Sequence, residues 1–430
     1  MTPAVIAPMT DFVFALTLAL LLLAPLAIAG LALVNTGLGR SRSAAQLMLG
    51  SLGIVAVTAI VFAAVGAAFT GSPEGAGHSF LLAGKSWNWL GAGPWLLGGL
   101  SSSSPRNQLA LLFEFLSVAL TALIPWGSGA ERLRLTAGCA VAALLAALIF
   151  PVTAHWIWGG GWLAQLSVNF GLGADFLDGG GAATVHLLGG LSALAVVWIA
   201  GPRKGKFPKA GLATAMPGHN TVAVLFGCLL ALVGWMAWNV AGAIVWLHAP
   251  SSALAGTALN TLLSASMAVL AAFNVTRIRF GKPDASICAN GWMAGLVASS
   301  AGAGLISPAA ALLVGLVAGL ATPLLVELIE LALSVDDPSG AIAVHAGGGL
   351  WGILAVGLFA PRAGQLLAQL VGIAAVLGLA LPVIYLLFRL LDRVLPFHAN
   401  ENAVRLGVDL DELGSGAYPE FVIHRDESQR

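Results

Sequence analysis

Length, composition and charge exclude an ordinary soluble protein. Of the 430 residues, 58% are hydrophobic and only 9% are charged, and the formal net charge is zero. Soluble domains carry roughly 25% charged residues, so most of this surface must face lipid. The neutral balance also excludes the basic surface that nucleic-acid binding needs. The three cysteines lie in or beside apolar tracts without metal-ligand spacing, and we interpret them as small core residues.

Eleven apolar tracts follow one another, each long enough to cross the hydrocarbon core of a bilayer. The N-terminus lacks a basic region and Asp11 precedes the first tract, so we expect this tract to remain as a span. The sequence therefore predicts an all-α, multi-pass cell-membrane protein with a transmembrane domain (1–391) and a cytoplasmic tail (392–430). The tracts cover approximately residues 12–35, 46–69, 107–127, 135–155, 183–201, 219–246, 253–275, 285–303, 307–333, 341–360 and 365–391.

The basic residues predict the orientation, because Lys and Arg are retained on the cytoplasmic side. With the N-terminus outside, sixteen of the 19 basic residues fall inside, five of them on the segment 389–430. Lys85, Arg106 and Arg362 remain outside. This separation favours eleven spans with the tail in the cytoplasm.

One internal repeat is evident. The stretch 185–205 aligns without gaps on 344–364, with nine of 21 positions identical. These stretches form the fifth and tenth tracts, an odd number of spans apart, so they run in opposite directions through the membrane. We therefore predict an inverted repeat of helices 1–5 and 6–10, with helix 11 as an addition. Transporters of this design place the substrate path near the midplane, between the halves.

The repeat nominates His186 and His345, which occupy equivalent positions in the two halves. A facing pair of imidazoles can pass a proton or hydrogen-bond a small polar solute. Alternatively, each ring satisfies a backbone carbonyl in a packed core, or the pair ligates a haem. Each histidine lies about 25 Å of helix from its terminal arginine. Meeting at one depth therefore requires helices that start inside the membrane. We predict no metal, cofactor or enzymatic activity.

Three further residues stand out. Asp178 lies eight residues before His186. We interpret it either as a helix N-cap or as a carboxylate whose charge favours cations in the substrate path. Trp158, at the outer end of the fourth tract, reads as an interfacial anchor or as a cation–π site. Glu114, within the third tract, reads as a carboxylate in an aqueous vestibule that attracts cations or as a neutral, hydrogen-bonded buried acid.

At these residues the chain resembles the ammonium transporter, methylammonium permease and Rhesus family, from about residue 12 to the tail. The resemblance implies a homotrimer with one narrow hydrophobic pore per subunit and ammonium or ammonia as the solute. The matching blocks are GSGAERLRL (127–135), AHWIWGGG (154–161), Asp178 with its spacing to the TVH and GPR segments, GWMAWN (234–239), VDDPSGAIAVHAGGG (335–349) and GVDLDELGSGAYPE (407–420).

The resemblance also implies roles for individual residues. His186 and His345 would line the pore at mid-membrane, and Trp158 would stand at the outer recruitment site, with Glu114 beside it. Phe113 would be the outer gate phenylalanine and Asp178 the structural aspartate.

Several positions depart from the family pattern. The inner gate phenylalanine falls on Ser117, and the second gate aromatic falls on Trp238. The hydroxyl of the outer ammonium site falls on Gly242, and a glutamine beside the gate falls on Glu114. Gly340 stands where some members carry an acid. The expected change is in selectivity and rate more than in fold.

Two functions follow. The first is an ammonium channel or transporter for nitrogen uptake, in which the cation loses its proton at the outer vestibule and ammonia passes the histidines. The second is a sensor or regulatory relative with little or no flux. The same pore carrying another small neutral solute is a third alternative. A PII-type signalling protein is a candidate partner at the cytoplasmic face.

Overall fold

The structure is a computed structural model that describes residues 9–73, 75–209 and 212–418. Ten helices of the described chain are at least 18 residues long and apolar enough to cross a membrane. The predicted eighth tract forms a shorter helix of 15 residues. The fold class is therefore confirmed, whereas the count of eleven spans stays a prediction. The helices are α1 (Asp11–Leu38), α2 (Ser41–Thr70), α3 (Pro105–Ser128), α4 (Leu135–Phe170), α5 (Ala182–Ala200), α6 (Thr221–Val245), α7 (Ser251–Phe280), α8 (Ala285–Ser299), α9 (Pro308–Ala332), α10 (Ile342–Phe359) and α11 (Gln365–Val394).

Side-chain caps set where several of these helices begin. Ser104 and Ser307 accept hydrogen bonds from the amides of Asn107 and Ala310, and a proline follows each serine at the first helical position. These contacts satisfy amides that the helix itself leaves without partners. Large apolar side chains such as Leu52 point outward with most of their surface exposed. Such helices require a lipid surround.

The loop between α2 and α3 contains a β-hairpin, which the apolar tracts of the sequence did not predict. Strand β1 (Gly77–Leu82) pairs antiparallel with β2 (Lys85–Gly91). The hairpin packs on the end of α4, where the indole of Trp156 donates to the carbonyl of Trp89 at 2.9 Å. We call this side of the bundle the hairpin face. Glu74, in the same loop, lies outside the described residues.

The opposite side, the tail face, carries the chain after α11. This segment forms two short helices, α12 (Glu401–Leu406) and α13 (Val408–Leu413), of which α13 lies against the start of α2. The carboxylate of Asp409 accepts hydrogen bonds from the amides of Ala45 and Gln46 at 3.1 and 2.8 Å. The tail therefore caps α2 from outside the helix. Arg425 and Arg430, which the orientation argument counted, lie outside the described residues.

Four predicted cytoplasmic loops meet on the tail face through buried ion pairs. Asp336 binds Arg132 at 2.7 Å and Arg203 at 2.9 Å. Arg203 also binds Glu131 at 2.8 Å, and Glu131 pairs with Arg40. Loops on which the sequence argument placed basic residues thus share one side of the molecule. The sequence alone did not predict this cluster, because the partners of Asp336 are 133 and 204 residues away along the chain.

The α5–α10 crossing joins the two repeats. A Cβ at Gly190 would meet the amide nitrogen of Ala346 at 2.3 Å, and one at Gly349 would meet the amide nitrogen of the equivalent residue, Leu187, at 3.0 Å. Gly190 and Gly349 are equivalent in the repeat. Each helix thus supplies the same glycine to the same contact, and the backbones approach closely without side chains between them.

The ion cluster predicts a specific dependence of stability on pH. Burial raises the pKa of Asp336, but the hydrogen bonds from Arg203 and the charge of Arg132 outweigh it and hold that pKa below its ordinary value of 3.8. A depressed carboxyl pKa adds stability above the ordinary value, and this stability is lost as pH falls through the folded-state value. Asp336→Asn should cost about 3–5 kcal/mol near pH 7, because two buried guanidinium groups lose their shared counter-ion, and should lessen the loss on acidification. Thermal unfolding from pH 3 to 7.5 measures both effects.

Glu327→Gln is the matched control, because Glu327 forms a partly exposed pair with Arg279 and such pairs contribute about 0–1 kcal/mol. Equal destabilisation by the two substitutions would contradict the role given to Asp336.

Candidate functional site

The two repeat-related histidines contact each other in the core. His186 Nδ1 lies 3.2 Å from His345 Nδ1, and the ring centroids are 5.2 Å apart. Both side chains are almost fully buried, at 0% and 1% exposure. In a pair of neutral rings one Nδ1 donates and the other accepts, so the two imidazoles hold opposite tautomers. This contact leaves no gap between the rings for a haem plane.

The histidines meet because each lies near the beginning of its helix. His186 belongs to the π-helical turn Ala182–Leu187, and His345 belongs to the π-helical turn Ile342–Gly347. The chain reaches each turn through an irregular segment instead of a full preceding span. Each histidine therefore lies within the first turns of its helix, and the two helix starts bring the histidines together. Single π-helical turns are frequent at functional sites, although the described chain also has them at four places away from the histidines.

Two aspartates cap the starts of these two helices. Asp178 Oδ2 accepts hydrogen bonds from the amides of Ala183 and Thr184 at 3.0 and 2.9 Å. Asp337 Oδ2 accepts one from the amide of Ile342 at 2.8 Å. The geometry of Asp178 is that of a cap. Asp337 lies 159 residues after Asp178, the same offset as between the histidines. Extending the repeat seven residues backwards would have revealed this equivalence.

Glycines complete the two helix starts. Gly181 and Gly340, also 159 residues apart, have φ values of +85° and +66°. Residues other than glycine rarely adopt this region. At Gly340 a Cβ would in addition meet Asn290 Nδ2 at 2.3 Å. The glycine that the sequence comparison marked as a departure therefore has a backbone reason.

The irregular segment 178–180 has its backbone groups satisfied from three sides. The carbonyls of Asp178 and Gly180 accept hydrogen bonds from the indoles of Trp158 and Trp238, at 2.7 and 3.0 Å. The amides of Gly179 and Gly180 donate to carbonyls just beyond α8, at 2.9 and 2.6 Å. Buried backbone groups need such partners. Trp158 and Trp238 therefore stabilise this segment, in addition to any contact they make with a solute.

Four aromatic rings form one cluster between the hairpin face and the histidines. Phe113 lies 4.4 Å from Trp238, 5.4 Å from Trp158 and 6.0 Å from Trp246, measured between ring centroids. Trp158 and Trp246 stack in parallel at 5.0 Å. The sequence alone did not predict a place for Trp246 in this cluster, because a tryptophan at the end of an apolar tract is typical of an interfacial anchor.

Helix α6 gives the depth order of the cluster. Trp235 stacks on the ring of His186 at 5.0 Å, and Trp238 follows one turn closer to the hairpin face. With about 1.5 Å of rise per residue, Trp238 lies between the histidines and Trp246. Phe113 and Trp238 are in contact and fully buried, so this aromatic pair lies between the hairpin face and the histidines.

Two departures from the family pattern have structural explanations here. A Cβ at Gly242 would meet the carbonyl oxygen of Gly179 at 2.1 Å, so α6 requires glycine at that position. The hydroxyl of Ser117 donates to the carbonyl of Phe113 at 2.8 Å, within α3. Neither position presents a polar group to the aromatic cluster.

A cavity of about 640 Å³ opens beside the aromatic cluster on the hairpin face. Its lining includes Trp158, Trp246, Asp175 and Asp178. Arg106 also lines it and donates to the carbonyls of Ile244 and Val245, at 3.0 Å each, which leave the end of α6. We call this cavity the vestibule.

His248 also lines the vestibule, with Nδ1 at 2.7 Å from Arg106 Nη1. Burial, together with the charge of Arg106, lowers the pKa of His248. The ring is therefore neutral near pH 7 and adds no second positive charge to the vestibule.

Glu114 does not line the vestibule, although the family resemblance placed it beside Trp158 at the outer recruitment site. Its side chain, 3% exposed, lines a neighbouring cavity of about 240 Å³ beneath the loop 71–103. The two cavities share Pro73, Asn107, Ala110 and Trp246 in their linings. Of the predicted site residues, the structure thus brings together the histidine pair in one place and the aromatic cluster in another.

The fold and the core together define an integral multi-pass membrane protein built around two repeat-related helices, α5 and α10, whose histidines face each other. The chain belongs to the Ammonium Transporter Family, whose model matches residues 13–418. The resemblance inferred from the sequence is therefore confirmed.

Individual relatives agree with this assignment. The chain is 32% identical to the ammonium transporter Amt2 of Archaeoglobus fulgidus, over 97% of this chain and 90% of that protein. It is 29% identical to an ammonium transporter of Bacillus subtilis, over 95% and 98% of the two chains.

Two solved structures are also similar. A Sensor Amt Protein matches with a TM-score of 0.84 and 26% identity, over 93% of this chain and 97% of that one. Mep2 of Candida albicans matches with a TM-score of 0.75 and 23% identity, over 90% and 86% of the two chains, and this likeness concerns the fold.

The backbone contact at Gly242 leads to a prediction. Gly242→Ser would restore the hydroxyl that the family pattern places there, but its Cβ would collide with the carbonyl of Gly179. We expect a lower melting temperature of the purified protein in detergent and no gain in ammonium affinity. Gly256→Ala is the matched control, because a Cβ there meets no atom within 4 Å. Tighter ammonium binding by a Gly242→Ser protein of normal stability would contradict the prediction.

Proposed function

We propose that this protein transports ammonium across a cell membrane, with ammonia as the species that passes the core. The observation that carries the proposal is the buried contact between His186 and His345, in a chain that belongs to the Ammonium Transporter Family. A charged ion would lose its hydration in this apolar core at a cost of several kcal/mol. Deprotonation before the core avoids that cost.

The proposed route begins in the vestibule on the hairpin face, which we take as the outer side. Trp158 and Trp246 offer aromatic rings to a small cation, a contact that contributes about 0.5–2 kcal/mol. The ammonium ion loses its proton there, and ammonia passes the Phe113–Trp238 contact when the rings move. The proton either remains outside or is relayed through the histidines.

The histidine pair gives ammonia polar contacts where the path is otherwise apolar. His186 Nε2 is buried and has no hydrogen-bond partner within the described chain. An ammonia molecule offers both donors and an acceptor, so it suits this unsatisfied nitrogen in either tautomer. Leaving such a group unpaired costs about 1–3 kcal/mol, which favours a solute that occupies the position transiently.

The assembly is proposed from the family resemblance. We propose a homotrimer, with one pore in each subunit, and a PII-type signalling protein as partner at the tail face. The inverted arrangement of the two halves fits the paired glycines and paired caps of α5 and α10.

Uptake of labelled methylammonium in cells that lack their own transporters tests the transport proposal. His186→Ala and His345→Ala should each reduce the initial rate at least tenfold, because each removes a polar contact from the buried path. His78→Ala is the matched control, since His78 is exposed on β1. No uptake above empty vector, with the protein present in the membrane at good levels, would overturn the proposal.

A sensor with little flux is the second candidate, and two observations favour it. The Sensor Amt Protein is a similar structure at 26% identity, and the contact of Phe113 with the large indole of Trp238 closes the route here. In this case the wild-type protein binds ammonium without methylammonium uptake.

Trp238→Phe distinguishes a route limited by the indole from one that is not. The smaller ring should raise uptake at least threefold, while the unpaired carbonyl of Gly180 lowers stability by about 1–3 kcal/mol. Trp198→Phe is the control, because Trp198 is half exposed on the outer surface of α5. An unchanged rate in a folded Trp238→Phe protein would show that the indole does not limit the flux.

A further inference from the structure

The cavity next to the vestibule has an unusual chemical lining. It lies beneath the loop 71–103 and against α3, and Glu114 is the charged residue among the described residues of its wall. Asn107, Ser72 and Ser103 add polar atoms, and Trp246 closes one side. We call this cavity the Glu114 chamber. Its volume of about 240 Å³ suits a small ion with several waters, since one water occupies about 30 Å³.

Glu114 differs from the other buried acids of this protein. Asp178 and Asp337 accept hydrogen bonds from helix amides, and Glu131 and Asp336 pair with arginines. Glu114 is equally buried, at 3% exposure, but neither a hydrogen bond nor an ion pair reaches it within the described chain. An isolated buried carboxylate is costly unless a cation or a proton accompanies it.

The neighbouring polar groups indicate which ligand would fit. The side chains of Asn107 and Ser72 make no hydrogen bond within the described chain, so their oxygen atoms are available as acceptors. Ser103 uses its hydroxyl hydrogen on the carbonyl of Leu100, at 2.7 Å, and so also presents oxygen lone pairs. One carboxylate with several neutral oxygen acceptors matches a small cation that carries several N–H donors.

We propose that the Glu114 chamber binds an ammonium ion or a small primary alkylammonium ion, as a site separate from the Trp158 vestibule. Trp246 lines both cavities and stacks on Trp158. The chamber therefore holds a cation against the Trp246 ring of the aromatic cluster, one indole away from Trp158, and raises the local concentration of the cation there. This inference rests on ammonium being the ligand of the protein, but it does not require transport.

Binding is measured on the purified full-length protein in detergent, from the rise in melting temperature with ammonium chloride or methylammonium chloride. Sodium chloride keeps the ionic strength constant. A ligand that binds only the folded state stabilises it in proportion to the logarithm of its concentration above Kd. We expect Glu114→Gln to shift the half-maximal concentration at least fivefold upward, because the amide keeps the shape and removes the charge.

Two further variants make the test specific. Asp11→Asn removes an exposed carboxylate at the first turn of α1, far from the chamber lining, and should leave the half-maximal concentration within twofold of wild type. Ala76→Trp fills the mouth of the chamber and keeps Glu114, so it should weaken binding as Glu114→Gln does.

The outcomes separate this inference from the proposed function. Ammonium binding that depends on Glu114 in a protein without methylammonium uptake would support the chamber and overturn transport. Uptake with ammonium binding that neither Glu114→Gln nor Ala76→Trp changes would overturn the chamber and support transport. In that case Glu114 is a bystander that is buried as a neutral acid.

Discussion

The structure depends on how non-helical backbone is satisfied in the middle of a membrane protein. Lipid-exposed irregular backbone is excluded there, because nothing in hydrocarbon can pair with its amides and carbonyls. This chain places two irregular segments inside the bundle and gives each an aspartate cap, Asp178 or Asp337. The segment after Asp178 receives further hydrogen bonds from Trp158 and Trp238. Only with these partners can α5 and α10 begin where their histidines face each other.

Two further sets of contacts hold α5 and α10 in position relative to each other. Gly190 and Gly349 let the helices cross at backbone distance, and any side chain at either position would separate the histidines. On the tail face, Asp336 and its arginines tie the segment before α10 to the loops after α3 and α5. The position of His345 is thus constrained on one side by the ion pairs of Asp336 and on the other by the crossing of α5 and α10.

The same backbone requirements account for most departures from the family pattern. Gly242 makes room for the carbonyl of Gly179, and Trp238 supplies a donor to Gly180 where a phenylalanine would not. The region outside the histidines is therefore packed with aromatic rings and poor in polar groups. The polarity that a cation needs lies instead in the vestibule and, by our inference, around Glu114.

Much of the fold could be predicted from the sequence, because hydropathy, basic loops and a repeat are local or periodic signals. The eleven tracts correspond to helices, and the nine identities of the repeat led directly to His186 and His345. The ion cluster on the tail face could not be predicted, because its partners are distant along the chain. The hairpin of the 71–103 loop pairs neighbouring segments, but β1 is exposed along its whole length, so no alternation of buried and exposed residues marks it in the sequence. Asp337 could have been found by extending the repeat to residue 178.

By itself, the sequence determined that the protein is a helical membrane protein with two related halves and a histidine in each, since lipid exposure and repetition are recorded in composition and order. Only the tertiary structure decided that the helices begin beside those histidines and that Trp246 completes the aromatic cluster. It also decided that Glu114 faces a cavity separate from Trp158. These features depend on which segments pack against each other, and the contacting residues lie tens of residues or more apart along the chain.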